Sequence, residues 1–136
     1  MNLVMRSVFV SAAVLLSGCF DLDSSMFNQK KITSYVLPAD VIPEAQRTQV
    51  VLTVQGKKVY GYFIASATPG EKNVVLYNHG NRDNIQFYWS RTSEFYVMGF
   101  NVFIYDYEGY GMSEGEPTEA ALNADAVAAY EYLRTV

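Results

Sequence analysis

Two stretches of sequence decide the fold: Asn73-Val-Val-Leu-Tyr-Asn-His-Gly-Asn81 and Asn101-Val-Phe-Ile-Tyr-Asp-Tyr-Glu-Gly-Tyr-Gly-Met-Ser-Glu-Gly115. Each begins with a short, continuous apolar run, which predicts a strand that is buried on both faces of a mainly parallel sheet. The first run ends in His79-Gly80-Asn81, and the second ends in Asp106-x-x-Gly109-x-Gly111. The sequence therefore predicts two buried strands, each followed by a loop that contains polar residues and glycine.

The segment before these strands predicts a hairpin and a polar lead-in. Residues 48–54 and 58–65 flank Gln55-Gly56-Lys57, a compact turn, and predict two antiparallel strands. Residues 19–47 are polar and show no sustained period, so they are interpreted as a tether. One irregular strand is predicted within that tether, at residues 34–37.

Two helices complete the predicted order. Residues 84–98 carry side chains at helical spacing and are followed by Gly99, a natural C-terminal stop. Pro117-Thr118 opens a last helix with one apolar face, from Leu122 onward. The result is the order β-β-β-α-β-α, which belongs to the α/β class, with residues 48–136 as one domain.

Composition excludes several classes of protein. The 136 residues are 50% hydrophobic and 15% aromatic, which fits a globular unit. A net charge of −4, with ten basic residues and no basic cluster, argues against a nucleic-acid partner. One cysteine and one histidine leave no disulfide framework and make a protein-only metal site unfavourable.

The N-terminus has the layout of a signal peptide. Residues 1–18 combine a basic start with a short apolar run, too short for a stable transmembrane helix. The run ends in Leu16-Ser17-Gly18-Cys19, which resembles a bacterial lipobox, in which the peptide is cut before a cysteine that is then lipidated. The resemblance implies a membrane-anchored envelope protein, and Phe20 after the cysteine implies the outer membrane in a Gram-negative host. The alternative is an ordinary secretory signal in which Cys19 has no such role.

From about residue 50 to residue 133, the chain resembles the first half of an α/β-hydrolase with an HGN loop and a DYxGYGxSxG loop. The resemblance implies that the Asn81 N–H belongs to an oxyanion hole, a donor aimed at the charge that develops on an acyl oxygen. Gly80 would let the backbone turn without a Cβ clash. It also implies that His79 orients this turn, because the catalytic histidine of the family comes last in the chain.

Gly111-Met-Ser-Glu-Gly115 matches the pattern of a nucleophile elbow, G-x-S-x-G. That motif has meaning only on a tight turn from a strand into a helix. Ser113 follows the strand by several residues, and the next helix starts only near Thr118. The match is therefore interpreted as the structural loop after the fourth strand of the family.

Three acidic residues near this loop are interpreted as structural. Asp106 precedes any elbow and is expected to fix the loop through local backbone hydrogen bonds. Glu108 stands where relatives usually carry arginine, which removes a cation from the loop. Asp125, on the last helix, is expected to make a structural hydrogen bond.

The strand with the nucleophile, and the acid and base after it, have no counterpart in these residues. A Ser–His–Asp triad needs three side chains within hydrogen-bond reach. We therefore expect an incomplete sheet in which residues 74–77 form an exposed apolar edge. The chain is expected to be an interrupted hydrolase that is inactive alone.

Two functions from different classes follow from this sequence. The first is a lipid-anchored hydrolase whose full-length form cleaves ester or amide bonds of a small acyl substrate, without any cofactor. A second chain that supplies the C-terminal half is a possible partner. The alternative is a non-catalytic envelope lipoprotein that binds a partner through its exposed sheet edge.

Overall fold

The structure, a computed structural model, describes residues 26–136. Its elements, in chain order, are β1 (Asn28–Gln29), a 3-10 turn (Glu44–Gln46), β2 (Arg47–Val54), β3 (Lys57–Ile64), β4 (Val74–Tyr77), β5 (Arg82–Asp83), α1 (Ile85–Val97), β6 (Asn101–Tyr105) and α2 (Glu119–Leu133). Apart from the two-residue strands β1 and β5, this is the predicted order. The predicted signal peptide, at residues 1–18, and Cys19 lie outside the described residues.

The predicted hairpin of β2 and β3 forms around a two-residue turn. Gln55 and Gly56 both have positive φ, 49° and 80°. Two successive residues of this kind are typical of a type I′ turn, whose twist matches that of the flanking strands. Lys57, predicted as part of the turn, pairs with Val54 and already belongs to β3.

Four strands form the main sheet, in the order β2-β3-β6-β4. Within this sheet, as described for residues 26–136, β4 and β6 pair in parallel, and the other neighbours are antiparallel. Since side chains alternate along a strand, β6 serves two cores at once. Val102 and Ile104 pack on the side of α1, and Phe103 and Tyr105 pack on the side of α2.

Both helices begin at a side-chain cap. The Asn84 side chain accepts a hydrogen bond from the Gln86 N–H at the start of α1, and Thr118 does the same for Ala121 in α2. Such caps satisfy N–H groups that have no partner inside the helix. Gly99, with φ of 91°, follows the last turn of α1, as its position in the sequence predicts.

Residues 26–46 run along the domain and pack against it. Strand β1 pairs in parallel with β5, and the Ile42 side chain is fully buried beside α1. The Trp89 indole donates to the Pro38 carbonyl at 3.1 Å. No strand forms at residues 34–37, so that prediction is wrong: Tyr35 turns its hydroxyl inward to a buried carboxylate instead of pairing with a strand.

Strand β4 lies at one edge of the sheet, as expected for the incomplete sheet of a partial fold. In the described part of the chain, its only partner is β6, and all four of its residues are half-buried. No helix in residues 26–136 combines the length and the apolar character that crossing a bilayer requires.

Candidate functional site

The HGN turn (residues 79–81) lies at the carboxyl edge of the sheet, directly after β4. The glycine loop (residues 106–115) follows β6 at the same edge. Because β4 and β6 are parallel, the two segments meet there. This edge is where open α/β sheets bind their ligands.

Hydrogen bonds hold the HGN turn through its carbonyl oxygens. The Tyr107 hydroxyl donates to the His79 carbonyl at 2.7 Å, and the Tyr110 hydroxyl donates to the Asn81 carbonyl at 3.0 Å. The Asn28 N–H of β1 also donates to the Asn81 carbonyl, at 2.9 Å. The glycine loop and β1 thus hold the turn in place.

The Asn81 N–H is the donor of this turn that the family resemblance assigns to an oxyanion hole. Among residues 26–136 it makes no hydrogen bond, and Asn81 is exposed. The Asn81 side chain points elsewhere and donates to the Met26 carbonyl at 2.7 Å. A fixed and exposed N–H is what the stabilisation of an oxyanion needs, because it costs no reorganisation when charge develops.

Gly80 provides space and not a special backbone angle. It is absent from the glycines of positive φ, so an alanine could adopt its backbone conformation. A Cβ at this position would lie 2.8 Å from the Tyr88 hydroxyl oxygen. The clash that Gly80 is expected to avoid is therefore with the Tyr88 side chain of α1.

His79 is enclosed beneath the turn. Its side chain has no exposed surface, and its ring stacks on Tyr88 with the centroids 4.8 Å apart. The Nε2 atom lies 3.1 Å from Asp106 Oδ1, and Nδ1 lies 2.7 Å from the Gly80 carbonyl oxygen. Since the ring is enclosed and both ring nitrogens face oxygen atoms of the protein, no nucleophile on a substrate or another element can approach either nitrogen in this arrangement.

Asp106 joins three distant parts of the chain. Its fully buried carboxylate accepts the Ile85 N–H, at the start of α1, at 2.8 Å, and the Tyr35 hydroxyl at 2.5 Å. With His79, these partners are all far away in the sequence, so the prediction of local backbone hydrogen bonds is wrong. Burial, and then the charge of Asp106, raise the pKa of Tyr35 above its usual range, which keeps this hydroxyl a donor.

Ser113 is a buried structural residue. Its hydroxyl donates to the Asp106 carbonyl at 2.6 Å and accepts the Tyr60 N–H of β3 at 3.0 Å. Only 1% of the residue is exposed. With its proton and a lone pair both engaged by the backbone, this serine ties the glycine loop to the sheet and presents no nucleophile to a substrate.

The glycine loop uses positive φ where no side chain would fit. Gly109 and Gly111 have φ of 87° and 51°. A Cβ at Gly111 would overlap the Asp106 carboxylate, and one at Gly109 would overlap Pro117. These two glycines therefore allow the loop to close over Asp106.

Glu108 and Asp125 are buried side by side behind this loop. Asp125 Oδ2 accepts the Glu108 N–H at 2.7 Å, while Oδ1 has no partner in the described residues. The Glu108 carboxylate forms an ion pair with Lys57. The pKa of Asp125 is raised to about 6: burial is the main cause, the Glu108 N–H opposes it, the charge of Glu108 adds to it, and Lys57 lowers it.

Sequence reasoning missed the residues that fix the site from a distance. Tyr35 lies in no motif, and the motifs that contain Lys57, Tyr107 and Tyr110 gave no sign of their partners, which lie on other elements. The one available signal was the number of tyrosines, since a buried tyrosine needs a partner for its hydroxyl. Among residues 26–136 no cluster of three or more His, Cys, Asp or Glu side chains is placed to hold a metal ion.

These features define a class. A mixed sheet covered by a helix on each face, with an HGN turn at its carboxyl edge, is part of an α/β-hydrolase fold. An esterase of Pyrococcus furiosus superposes with a TM-score of 0.64 at 22% identity, over 79% of this chain and 42% of the esterase. An α/β hydrolase of Vibrio vulnificus gives 0.54 at 20% identity, over 78% of this chain and 45% of that protein. Identities this low show the fold alone.

Some of the sequence relatives carry the same family name, and others are uncharacterized. The chain is 38% identical over 88 residues to human α/β hydrolase domain-containing protein 17B, covering 61% of this chain and 29% of that protein. It is 35% identical over 82 residues to the uncharacterized protein YfhR of Escherichia coli K12, covering 58% of this chain and 29% of that protein. No family model matches the chain. The chain is thus similar in sequence to α/β-hydrolases and has part of their fold. It spans less than a third of the length of these curated relatives, which fits an N-terminal half of the fold.

Proposed function

We propose that these residues form the oxyanion-turn half of a lipid-anchored serine hydrolase that cleaves ester or amide bonds of an acyl substrate. The observation that carries the proposal is the N–H of the exposed residue Asn81, which makes no hydrogen bond within residues 26–136 and lies on a turn whose carbonyls are held. One such donor contributes on the order of 3 kcal/mol to the stabilisation of an acyl transition state.

The nucleophile, acid and base of this proposal come from sequence outside the 136 residues. Ser113 is buried and bonded to backbone groups, and the single histidine, His79, has both nitrogens occupied. Asp106 lies beneath the turn with its oxygens engaged. These residues support the turn and do not act on the substrate, so the chain alone is proposed to be inactive.

The proposed anchor is Cys19, whose lipobox-like surroundings are described above. Lipidation by two or three acyl chains gives a stable membrane attachment, whereas a single chain is marginal. The proposal places the protein in the bacterial cell envelope, and in the outer membrane of a Gram-negative host. Mass spectrometry of the N-terminal peptide tests it, since an unmodified Cys19 thiol in membrane-derived protein would contradict it.

A serine-reactive fluorophosphonate probe tests the hydrolase proposal. We expect no labelling of the 136-residue chain and labelling of a longer product of the same locus that adds a strand, a Gly-x-Ser-x-Gly turn and a helix. Ester turnover by the 136-residue chain that is lost in Ser113→Ala would overturn both the inactivity and the structural role of Ser113.

Two substitutions at position 81 then separate the contribution of the Asn81 N–H from that of the Asn81 side chain. In the labelled product, Asn81→Pro removes the N–H and is expected to lower kcat by about two orders of magnitude. Asn81→Ala keeps the N–H and removes only the contact with Met26, so it is the matched control and should retain activity. Equal activity of the two variants would exclude the Asn81 N–H as a catalytic donor.

The open edge of β4 favours a second candidate, a binding lipoprotein. An edge strand with unpaired backbone groups can accept a strand of another chain. This function predicts that the 136-residue chain folds cooperatively by itself and elutes as one species of defined mass. A molten or aggregating product would count against it.

A further inference from the structure

We propose that the edge of the domain that carries the HGN turn faces the lipid bilayer. The inference rests on the proposed anchor at Cys19 and deepens it, because it assigns the surface of the domain that the anchor holds at the membrane. The occupant of this surface is a phospholipid bilayer.

Met26 lies next to the HGN turn. Its carbonyl accepts the Asn81 side chain at 2.7 Å, and two residues later Asn28 donates to the Asn81 carbonyl. These two bonds fix the start of the described chain at the carboxyl edge of the sheet. Any attachment upstream of Met26 therefore pulls on this edge of the domain.

Few residues separate this point from the proposed anchor. Cys19 precedes Met26 by seven positions. Even a fully extended chain of this length reaches only about 25 Å, which is less than the diameter of a small domain. With Cys19 lipidated, the HGN turn cannot move farther from the headgroups than this limit.

The surface around the turn suits an interface between water and lipid. Met26 and Phe87 are both large apolar side chains and are 57% and 47% exposed. The Arg82 guanidinium lies over the Phe87 ring, 4.8 Å from its centroid. Apolar side chains beside a cation are typical of surfaces that enter the headgroup region.

A second exposed apolar patch lies at the other end of α1 and provides the comparison. Val97 and Met98 are 72% and 67% exposed, so exposure by itself would favour them. Ten residues of helix separate Val97 from Phe87, which is about 15 Å along the axis. To place Val97 on the bilayer, the seven-residue connection would have to run along most of α1, whereas Phe87 needs no such path.

Fluorescence quenching by spin-labelled lipids tests the orientation. The full chain is purified from membranes with Cys19 modified, so that a cysteine introduced by Phe87→Cys or Val97→Cys is the one reactive thiol. Each variant is labelled with a small environment-sensitive fluorophore and reconstituted in phosphatidylcholine vesicles that contain headgroup-region doxyl lipids. We expect quenching and a blue shift at position 87 and neither effect at position 97.

The outcomes separate the orientation from the functions on which it rests. Quenching at position 97 and not at 87, or equal quenching at both, in lipidated protein would overturn the orientation and leave the anchor standing. Cys19→Ser protein that stays in solution confirms that the anchor holds the domain at the bilayer. An unmodified Cys19 in wild-type protein would overturn anchor and orientation together, while the fluorophosphonate result reports on the hydrolase separately.

Discussion

At the scale of single residues, the carboxylate of Asp106 accounts for the shape of the site. It receives the first N–H of α1, the hydroxyl of Tyr35 and a contact from His79, so one buried charge links a helix, the N-terminal segment and the HGN turn. Buried charges are costly unless they are hydrogen-bonded in this way. The loop that covers Asp106 can approach because Gly111 has no side chain.

Gly111→Ala tests this close approach. We expect it to lower the free energy of unfolding by about 3 kcal/mol or more, because the added methyl overlaps the Asp106 carboxylate. Gly70→Ala is the matched control, because the φ of Gly70 is also positive, at 77°. A Cβ at Gly70 would meet no described atom within 4 Å, so only backbone strain of about 1 kcal/mol is expected. Urea unfolding of both variants measures the difference, and equal losses would show that sterics at Gly111 play no part.

Asp125 gives a prediction on pH. Burial raises its pKa to about 6 from an ordinary value of 3.8, so the folded state binds more protons than the unfolded state between these values. Its contribution therefore makes the protein more stable as the pH falls from above 6 towards 4. Asp125→Asn should abolish this contribution, as measured by urea unfolding across that range. Glu131→Gln, an exposed change on the same helix, should leave it intact; an unchanged profile in Asp125→Asn would contradict the prediction.

At the scale of elements, the N-cap residue of α1 makes more contacts than the N-cap residue of α2. Asn84 is fully buried, caps α1 and also donates to the Lys30 carbonyl at 3.1 Å. Thr118 is exposed and only caps α2. Helix α1 begins beside the HGN turn, so its cap also helps to place the site.

The two caps can be compared directly by substitution. Asn84→Ala should cost about 2 kcal/mol, because it removes both the cap and the hydrogen bond that the buried Asn84 side chain donates to the Lys30 carbonyl. Thr118→Ala should cost about 1 kcal/mol, the usual value of a cap. Thermal or urea unfolding measures both. A larger loss in Thr118→Ala would mean that the Lys30 contact contributes nothing to stability.

At the scale of the whole molecule, the strands of the main sheet differ in burial and in their neighbouring strands. Strand β6 has neighbours on both sides and is almost wholly buried, whereas β4 pairs only with β6 among the described residues. Local opening is easiest where fewer contacts must break. Strand β4, at the open edge, is therefore expected to open more easily than its parallel neighbour β6.

Amide hydrogen exchange tests this asymmetry. We expect the amides of β4 to exchange faster than those of β6 in the 136-residue chain, because β4 has a neighbouring strand on only one side within the described residues. A strand added at this edge, from a partner or from a longer product of the locus, should slow exchange at β4 specifically. Equal protection of the two strands in dilute protein would show that β4 is already covered.

Patterns that lie within a few residues of one another determined the elements. The Gln55-Gly56 turn, the apolar runs before residues 79 and 106, the Thr118 cap and the Gly99 stop are all local signals, so the order of strands and helices could be read from the sequence. The resemblance carried by the HGN and glycine loops also predicted the partial α/β-hydrolase fold. It named the residues of the turn, whose catalytic role stays a prediction.

Tertiary structure alone decided which groups meet at the site. Tyr35 reaches Asp106 across 71 positions, Lys57 reaches Glu108 across 51, and Tyr107 and Tyr110 reach the HGN turn across 28 and 29. No periodicity encodes such pairs, because they exist only once β4 and β6 lie side by side and the N-terminal segment packs along α1. Local propensity therefore fixed the elements, and long-range burial of polar groups, each of which needs a partner, fixed the geometry of the turn.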